Sequence, residues 1–376
     1  DDLISATHLY HINSTDPSSK NGTLYEGDEE YDYKDEHAEL RQSLNTMTLI
    51  VYCLAVVLGV LGNSVVIWVT GFKMKKTKTV KTVWFLNLAV ADFLFTAFLP
   101  LSVVYVAQGF HWPFGKFMCQ LNSSLTSLNL FASVYILVAI SVDRCVSVVW
   151  PVWAQNHRSI RKASCVSLGV WVLALILSVP QFVFRDTSQI YDKVFCYNNF
   201  SLSDNDETQS VVELKNFRHQ ALSITQFIFG FLVPFTVIVS CYSVIIHRVR
   251  RNRSLAGQSG RAFKIIAAVI TTFFLCWTPY HIFSLIEMVY HTTGPQSESL
   301  SFAISIGIPV TSSLAYLNSC LNPLLYVFLG QDFKDKFCKS ILKALETAFQ
   351  EDVTASHTES RSMNTIQSKE SMEHCA

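Results

Sequence analysis

The chain has 376 residues, of which 50% are apolar or aromatic and only 15% carry a charge. A soluble domain usually has about 25% charged residues, so this chain has too little charge to cover the surface of a soluble globule. The 29 basic and 29 acidic residues cancel. The net charge therefore gives no reason to expect a nucleic-acid partner.

Long stretches without charge recur along the chain. Six of them contain no Asp, Glu, Lys or Arg, and one contains only Asp92. In chain order the stretches are 42–72, 82–115, 117–142, 163–184, 219–246, 265–286 and 299–331. Each exceeds the roughly 18–20 residues that a helix needs to cross a bilayer. They predict an all-α fold, a seven-transmembrane helix bundle, and they exclude a soluble enzyme and a membrane β-barrel.

Basic residues are concentrated in alternate loops between these stretches. The loops 73–81, 158–162 and 248–264 are short, rich in Lys or Arg and free of acidic residues. Lys and Arg near the ends of spans are retained on the cytoplasmic side of a membrane. The N-terminus is therefore expected outside the cell and the C-terminus inside.

The first 46 residues have the composition of an extracellular disordered tail. Asn13 and Asn21 each begin an acceptor triplet for N-glycosylation, and residues 25–39 hold eight acidic residues and three tyrosines without apolar periodicity. A third acceptor, Asn199, falls in an extracellular loop. The acidic segment suits tyrosine sulfation and attraction of a basic ligand, although it could simply be a solvated tail.

Two segments follow the bundle, which we place at 47–330. In 331–346, apolar residues recur every four positions among lysines, which predicts an amphipathic eighth helix on the inner membrane surface, in contact with membrane lipids. Residues 347–376 are polar and rich in Ser and Thr. They are expected to form a disordered cytoplasmic tail that can be phosphorylated.

The predicted topology assigns each of the ten cysteines to a span or to one side of the membrane. Only Cys119 and Cys196 fall on the oxidising side of the membrane, because the others lie within spans or at the cytoplasmic boundary. Their pairing would join the outer end of the third span to the second extracellular loop. On the chain-entropy estimate such a link contributes on the order of 4 kcal/mol.

Asp92 is an ionisable residue in the middle of a predicted span, which is costly unless it has a partner or a function. Polar residues inside other spans are candidate neighbours, namely Asn129, Ser133, Asn318, Ser319 and Asn322. Together with Asp92 they could bind a sodium ion. The alternative is a hydrogen-bond network around a protonated Asp92, and no other metal or cofactor is expected.

The motifs within these spans resemble those of the rhodopsin-like (class A) G-protein-coupled receptors over about residues 47–345. They include Asp92, Trp112, Trp171 and Pro234, and the segments 143–145, 276–279 and 322–326. The resemblance implies that Asp143 restrains Arg144 at rest and that the inner half of the sixth span moves outward on activation. The implied coupling and switch residues are Asp143, Arg144, Cys145, Tyr242, Trp277, Asn322, Pro323 and Tyr326.

Within that class the chain is most similar to the chemoattractant branch, and above all to chemerin (chemokine-like) receptors. The segments 84–95, 151–158, 184–187 and 196–200 carry this similarity. It implies a plasma-membrane receptor, not an enzyme, for a chemoattractant peptide or small protein. The implied intracellular partners are an inhibitory G-protein, arrestin and a receptor kinase.

A ligand pocket is expected in the outer half of the bundle, above Trp277. Its predicted lining is Ser102, Tyr105, Thr126, Asn129, Leu130, Arg185, Gln226, Tyr280, Ser284, Glu287, Ser312 and Tyr316. No acidic residue in the outer third span could pair with an ammonium group. Arg185 is placed to meet a terminal carboxylate, and its share of that contact should be larger because relatives often have Arg or Lys at the position of Gln226.

The sequence excludes some of the other functions that a seven-helix membrane protein can have and leaves others open. A retinal-binding sensor is excluded because residues 299–331 contain no lysine for a Schiff base. A transporter should show repeated halves, which are not visible. A receptor for an acidic lipid mediator or formyl peptide stays open, as does a non-signalling decoy receptor.

Overall fold

A computed structural model describes residues 27–73, 79–201, 209–251, 256–293 and 298–329. Side chains are described for 39–72, 79–201, 209–251, 266–291 and 299–325. The predicted eighth helix at 331–346, the tail at 347–376, Asn13, Asn21 and the side chain of Tyr326 lie outside these ranges. The predictions made for them stay predictions.

The described residues are almost entirely helical. The α-helices are Gly27–Trp68, Val80–Ala107, Gly115–Val149, Pro151–His157, Ile160–Phe184, Gln209–Phe227, Val233–Arg251, Ala256–Thr293 and Glu298–Leu329. Short π-helical segments, Val69–Lys73 and Ile228–Leu232, continue two of them. Two strands, β1 (Arg185–Ile190) and β2 (Lys193–Asn198), complete the described part of the chain.

Seven helices are long and apolar enough to cross a membrane, which confirms the predicted bundle. The spans are Glu39–Phe72, Val80–Ala107, Gly115–Val149, Ile160–Phe184, Gln209–Arg251, Ile266–His291 and Ser299–Leu325. We refer to them as the first to seventh spans. The third span is the most enclosed: 67% of its 18-residue apolar stretch is buried, against at most 39% of the corresponding stretch in any other span. It contacts the second, fourth and fifth spans and forms the axis of the bundle.

The first helix begins at Gly27, inside the segment expected to be disordered. For residues 27–46 the structure thus has helix where composition predicted an irregular tail, and the boundary at 46 falls within this helix. The physical reason is that helix formation is cooperative: a long apolar helix supplies the costly nucleus, and polar residues can extend it.

The fifth span contains a π-helical turn just before Pro234, rather than a simple proline kink. Pro234 has no N–H to donate to the preceding turn. The chain adopts a π-helical turn at Ile228–Leu232, where the Val233 N–H bonds Ile228 O. This turn brings Gly230 against the third span, where a Cβ at Gly230 would lie 3.3 Å from Leu130 Cδ2. By contrast, Pro100, Pro180, Pro279 and Pro323 are accommodated within continuous helices.

Candidate functional site

A β-hairpin covers the end of the bundle that is predicted to be extracellular, a feature that the all-α prediction did not include. Strands β1 and β2 are antiparallel, with Arg185 opposite Asn198 and Thr187 opposite Cys196. Tyr191, with φ of +53°, forms the turn. The disulfide Cys119–Cys196, with 5.7 Å between Cα atoms, fastens the hairpin to the third span as predicted. It therefore holds Arg185, the first residue of β1, at the mouth of the bundle.

Polar contacts reinforce this attachment. Lys116 Nζ lies 2.9 Å from Asp186 Oδ1, and Gln120 Nε2 donates to Arg185 O at 3.2 Å. Burial alone would raise the pKa of Asp186, but hydrogen bonds from Lys116, the Thr187 N–H and Asn199 outweigh it, and the pKa is lowered. Asp186 thus stays ionised, and the outer end of the third span and the hairpin form one connected surface.

The predicted glycosylation acceptor Asn199 lies just after β2. Its side-chain amide donates to Asp186 Oδ2 at 3.4 Å, and its Oδ1 accepts from Ser201 Oγ at 2.7 Å. Asn199 is partly buried, so its amide belongs to the hairpin's hydrogen bonding. Attachment of a glycan there remains a prediction.

A large cavity opens beneath the hairpin, between the outer halves of the spans. Eleven of the twelve predicted pocket residues line it: Ser102, Tyr105, Thr126, Leu130, Arg185, Gln226, Tyr280, Ser284, Glu287, Ser312 and Tyr316. Asn129, the twelfth, does not line the cavity and instead points to the cluster around Asp92. The difference is one of helix face, since Thr126 and Leu130, the residue after Asn129, both line the cavity while Asn129 lies on the side of the third span that faces Asp92.

Aromatic side chains form the floor of the cavity. Trp277 is 3% exposed and contacts Tyr280, with ring centroids 5.8 Å apart. The Tyr280 hydroxyl is hydrogen-bonded to Gln226 of the fifth span. Gln226 therefore connects the fifth and sixth spans at the floor, instead of presenting a positive charge to a ligand.

The first span contributes lining residues that sequence reasoning missed. These are Arg41, Leu44, Asn45, Thr48 and Tyr52. They were overlooked because most of them fall in the segment assigned to the disordered tail. Three charged residues line the cavity among those described: Arg41, Arg185 and Glu287. The lining thus carries two positive charges against one negative charge.

Deeper in the bundle, Asp92 is the centre of a buried polar cluster. Asn322 Nδ2 donates to Asp92 Oδ2 at 2.8 Å. In the amide orientation that satisfies both ends, Asn129 donates to Asp92 Oδ1 at 3.2 Å and accepts from Ser319 Oγ at 2.9 Å. Ser133 Oγ lies 3.3 Å from the same amide. The second, third and seventh spans meet at these contacts.

Some amide groups of the seventh span lack a hydrogen-bond partner. Oδ1 of Asn318 and Oδ1 of Asn322 are buried without a donor, and Nδ2 of Asn318 is also unpaired. Buried carbonyl oxygens normally have a partner, and free lone pairs can serve a cation. The predicted set of Asp92, Asn129, Ser133, Asn318 and Asn322 therefore has the chemistry that a sodium ion requires. Groups of three or more His, Cys, Asp or Glu suited to another metal were not found in the described part of the chain.

At the end of the bundle predicted to be cytoplasmic, Asp143 is bound mainly by a residue that sequence reasoning did not assign to it. Arg158 Nε and Nη2 donate to the two carboxylate oxygens of Asp143, each at 2.7 Å. Arg144 Nη2 lies 3.3 Å from Asp143 Oδ2, and its Nε and Nη2 are buried without hydrogen-bond partners. The predicted restraint on Arg144 is therefore present as an ion pair but is weaker than the Arg158 contact.

Two further predicted switch residues, Cys145 and Tyr242, lie close to Arg144, whereas Pro323 lies elsewhere in the bundle. Tyr242 of the fifth span interacts electrostatically with Arg144. Cys145, beside Arg144, is a free cysteine in hydrogen-bond contact with Cys241. Pro323 lies inside the seventh helix, where its ring approaches Gly62 of the first span.

The chain is similar in sequence to known membrane receptors. Residues 62–326 match the model of the 7 transmembrane receptor (rhodopsin family). Chemerin-like receptor 1 of Mus musculus is 47% identical over 81% of this chain and 80% of its own length. Chemerin-like receptor 2 of Homo sapiens is 40% identical over 92% of this chain and 96% of its own. The C3a anaphylatoxin chemotactic receptor of Danio rerio is 41% identical over 94% and 91%.

Proposed function

Because this chain belongs to the rhodopsin family of seven-transmembrane receptors, in its chemerin-like branch, we propose that it is the receptor for a chemoattractant peptide or small protein of the chemerin type. It is a multi-pass plasma-membrane receptor and not an enzyme. Two relatives carry chemerin in their names and a third carries C3a. The proposal extends that ligand class to this chain.

The observation that supports this ligand class is the lining of the cavity. It is wide, it contains hydroxyl and amide groups on several walls, and its charges are Arg41, Arg185 and Glu287 among the described residues. The residues contributed by the third span, Asn122, Ser123, Thr126, Ser127 and Leu130, are uncharged. A small amine would lack a carboxylate there, whereas an extended peptide can use many separate hydrogen bonds.

Arg185 is proposed to bind the terminal carboxylate of the ligand. The disulfide and the Gln120 contact hold its backbone at the rim, and its side chain lines the cavity, where Nη1 lies 3.5 Å from Cys196 O. A charge-assisted hydrogen bond contributes roughly 1.5–3 kcal/mol. Arg185→Ala should therefore weaken binding of an acid-ended agonist by one to two orders of magnitude.

A displacement assay tests the ligand class. Membranes from transfected cells are labelled with iodinated chemerin and competed with chemerin, C3a, a formyl peptide and an acidic lipid such as a prostaglandin. We expect chemerin to displace its own label at the lowest concentration. If chemerin did not label the membranes specifically and the formyl peptide or the lipid bound saturably instead, the assignment of a chemerin-type ligand would be contradicted.

The role of Arg185 is tested by a cycle with two changes. Chemerin with a free or amidated terminal carboxylate is bound to the wild type and to Arg185→Ala. Amidation should cost the wild type about as much as the substitution does, and should cost the variant little. Additive losses would show that Arg185 and the carboxylate do not meet.

Inside the cell, we propose coupling to an inhibitory G-protein through Arg144, followed by phosphorylation of the tail by a receptor kinase and binding of arrestin. The support is that Arg144 of the third span lies close to Tyr242 of the fifth, and that Arg158 of a basic segment binds the neighbouring Asp143. A decoy receptor would bind chemerin in the displacement assay without promoting nucleotide exchange on a G-protein.

We also propose that the Asp92 cluster binds sodium in the inactive state. The support is that Asn322 contacts Asp92 and has a buried oxygen without a donor, and that Asn318, four residues earlier on the same helix, has another. Such an ion would favour the conformation in which the second, third and seventh spans stay together, and so would oppose agonist binding by linkage.

A further inference from the structure

A polar stripe runs along the cavity-facing side of the first span. Arg41, Asn45, Thr48 and Tyr52 line the cavity. Their spacing of four, three and four residues places them on one face of a helix. An ionisable residue in a membrane span normally has a partner or a function. We call Arg41, Asn45 and Thr48 the first-span subsite.

The first-span subsite contains polar atoms that the protein leaves unsatisfied. Arg41 Nε and Thr48 Oγ1 are buried without a hydrogen-bond partner, and Thr48 is only 4% exposed. The ion pairs found among the described side chains use Asp143 and Asp186, so none of them involves Arg41. Buried polar groups in native proteins are normally satisfied by protein, water or a ligand. The subsite is thus prepared for a group from outside.

Aromatic packing closes the subsite on its inner side. The rings of Tyr52 and Tyr316 have centroids 5.1 Å apart, and those of Tyr316 and Phe95 are 4.9 Å apart. These three residues belong to a hydrophobic cluster between the first, second and seventh spans. The subsite therefore ends at this cluster, above the Asp92 region, and is continuous with the ligand cavity.

Charge indicates what the subsite binds. Arg41 belongs to the first span and Arg185 to the hairpin that follows the fourth, so the two cations lie on different walls of the cavity. We propose that Arg41 forms a second anion-binding subsite, distinct from that of Arg185, which takes an acidic side chain of an extended peptide ligand. This inference rests on the proposed function for the nature of the ligand, but not for the charge preference of the subsite.

The geometry gives the subsite a role in selecting the ligand. A guanidinium binds a carboxylate through two parallel hydrogen bonds, which an ammonium cannot reproduce. A peptide with a terminal carboxylate and an acidic side chain can satisfy both arginines. A lipid with a single acid can satisfy only one of them. Arg41 therefore favours peptides over acidic lipids.

A thiol-modification assay tests the charge preference without any agonist. Asn45→Cys is introduced with Arg41 intact and with Arg41→Gln, and the purified receptor reacts with sulfonatoethyl or trimethylammonioethyl methanethiosulfonate. We expect Arg41→Gln to lower the ratio of anionic to cationic rates by roughly two- to fivefold, as for a single partly exposed charge pair. The receptor without the introduced cysteine gives the background rate.

Tyr191→Cys, in the hairpin turn where Tyr191 is 73% exposed, is the matched control. Its rate ratio should be the same with Arg41 and with Arg41→Gln. Equal ratios for Asn45→Cys in the two backgrounds would overturn the subsite. An effect present in detergent but absent in phosphatidylcholine vesicles would also overturn it, because a lipid phosphate would then occupy Arg41.

Chemerin tests whether the subsite takes a second acidic group. Arg41→Gln and Arg185→Gln should each weaken chemerin binding by roughly tenfold, the double variant should lose about the product, and Arg41→Lys should lose less than Arg41→Gln. With amidated chemerin the loss from Arg41→Gln should persist. Its disappearance would mean that both arginines share one carboxylate, which contradicts a second subsite. Failure of chemerin to bind the wild type would contradict the proposed function while leaving the thiol assay valid.

Discussion

Arg158 binds Asp143 through two hydrogen bonds of 2.7 Å, whereas the adjacent Arg144 approaches the same carboxylate only to 3.3 Å. Paired fork-to-carboxylate contacts are among the strongest polar interactions in proteins. Arg158 thus competes with Arg144 for one acidic group. We therefore expect Arg158 to influence how firmly Asp143 restrains Arg144.

Arg158→Ala should lower basal nucleotide exchange. Without Arg158 the Asp143 carboxylate, which is only 12% exposed, has Arg144 as its remaining ion-pair partner and restrains it more firmly. We expect a several-fold decrease in basal exchange on a reconstituted inhibitory G-protein, with a smaller decrease for Arg158→Lys. Arg161→Ala, in the same basic segment, is the control. Unchanged or higher basal exchange in Arg158→Ala would show that Arg158 does not compete with Arg144.

Asp92→Asn should abolish an effect of sodium on agonist binding. In the wild type, replacing a larger inert cation by sodium at constant ionic strength should reduce chemerin affinity, because the ion favours the inactive conformation. The variant keeps the size of the side chain but loses the negative charge that attracts the ion. A sodium response of equal size in the variant would place the ion elsewhere.

Gly307→Ala should destabilise the receptor. A Cβ at Gly307 would overlap the ring of Phe283, so the sixth and seventh spans approach closely there. Overpacking of this kind costs about 1–3 kcal/mol. Gly169→Ala, in the fourth span, is the control because a Cβ there would meet nothing within 4 Å. We expect a lower unfolding temperature for Gly307→Ala alone, and equal temperatures for the two variants would contradict the close packing.

The Lys116–Asp186 contact should be insensitive to pH in the physiological range. The pKa of Asp186 lies below its ordinary value of 3.8, so its contribution to stability is fully present above that value and is lost as the pH falls through the lowered pKa. Lys116 is 56% exposed, and such pairs contribute under about 1 kcal/mol. The free energies of unfolding of the wild type and Asp186→Asn should therefore differ slightly and by a constant amount between about pH 5 and 8. A difference that changes with pH in that range would contradict this account of Asp186.

Sequence alone was sufficient for the spans because a bilayer demands long stretches free of charge, and Asp92 was recognised because it violates that demand. Part of the cavity lining was also predictable, since helical periodicity determines which residues share a face and eleven of the twelve predicted residues line the cavity. The hairpin escaped prediction because strands β1 and β2 are short and are held by a disulfide rather than by apolar alternation.

Contacts between distant residues were the least predictable. Arg158 was assigned only to a basic loop, since nothing in its local sequence indicates that it reaches Asp143. Arg41 was lost because the acidic composition of residues 25–39 suggested a disordered tail that ended only at residue 46. Cooperative extension of the first helix, which composition does not reveal, puts Arg41 on the cavity wall.

Chemerin-stimulated nucleotide exchange in vesicles that contain the purified receptor and an inhibitory G-protein tests the central proposal most directly. The wild type should accelerate exchange when chemerin is added. Arg144→Ala should bind chemerin with unchanged affinity and lose the acceleration, because Arg144 does not line the ligand cavity and is proposed to contact the G-protein. Exchange that is equal in the two proteins, or a wild type that binds chemerin without any acceleration, would contradict signalling through Arg144.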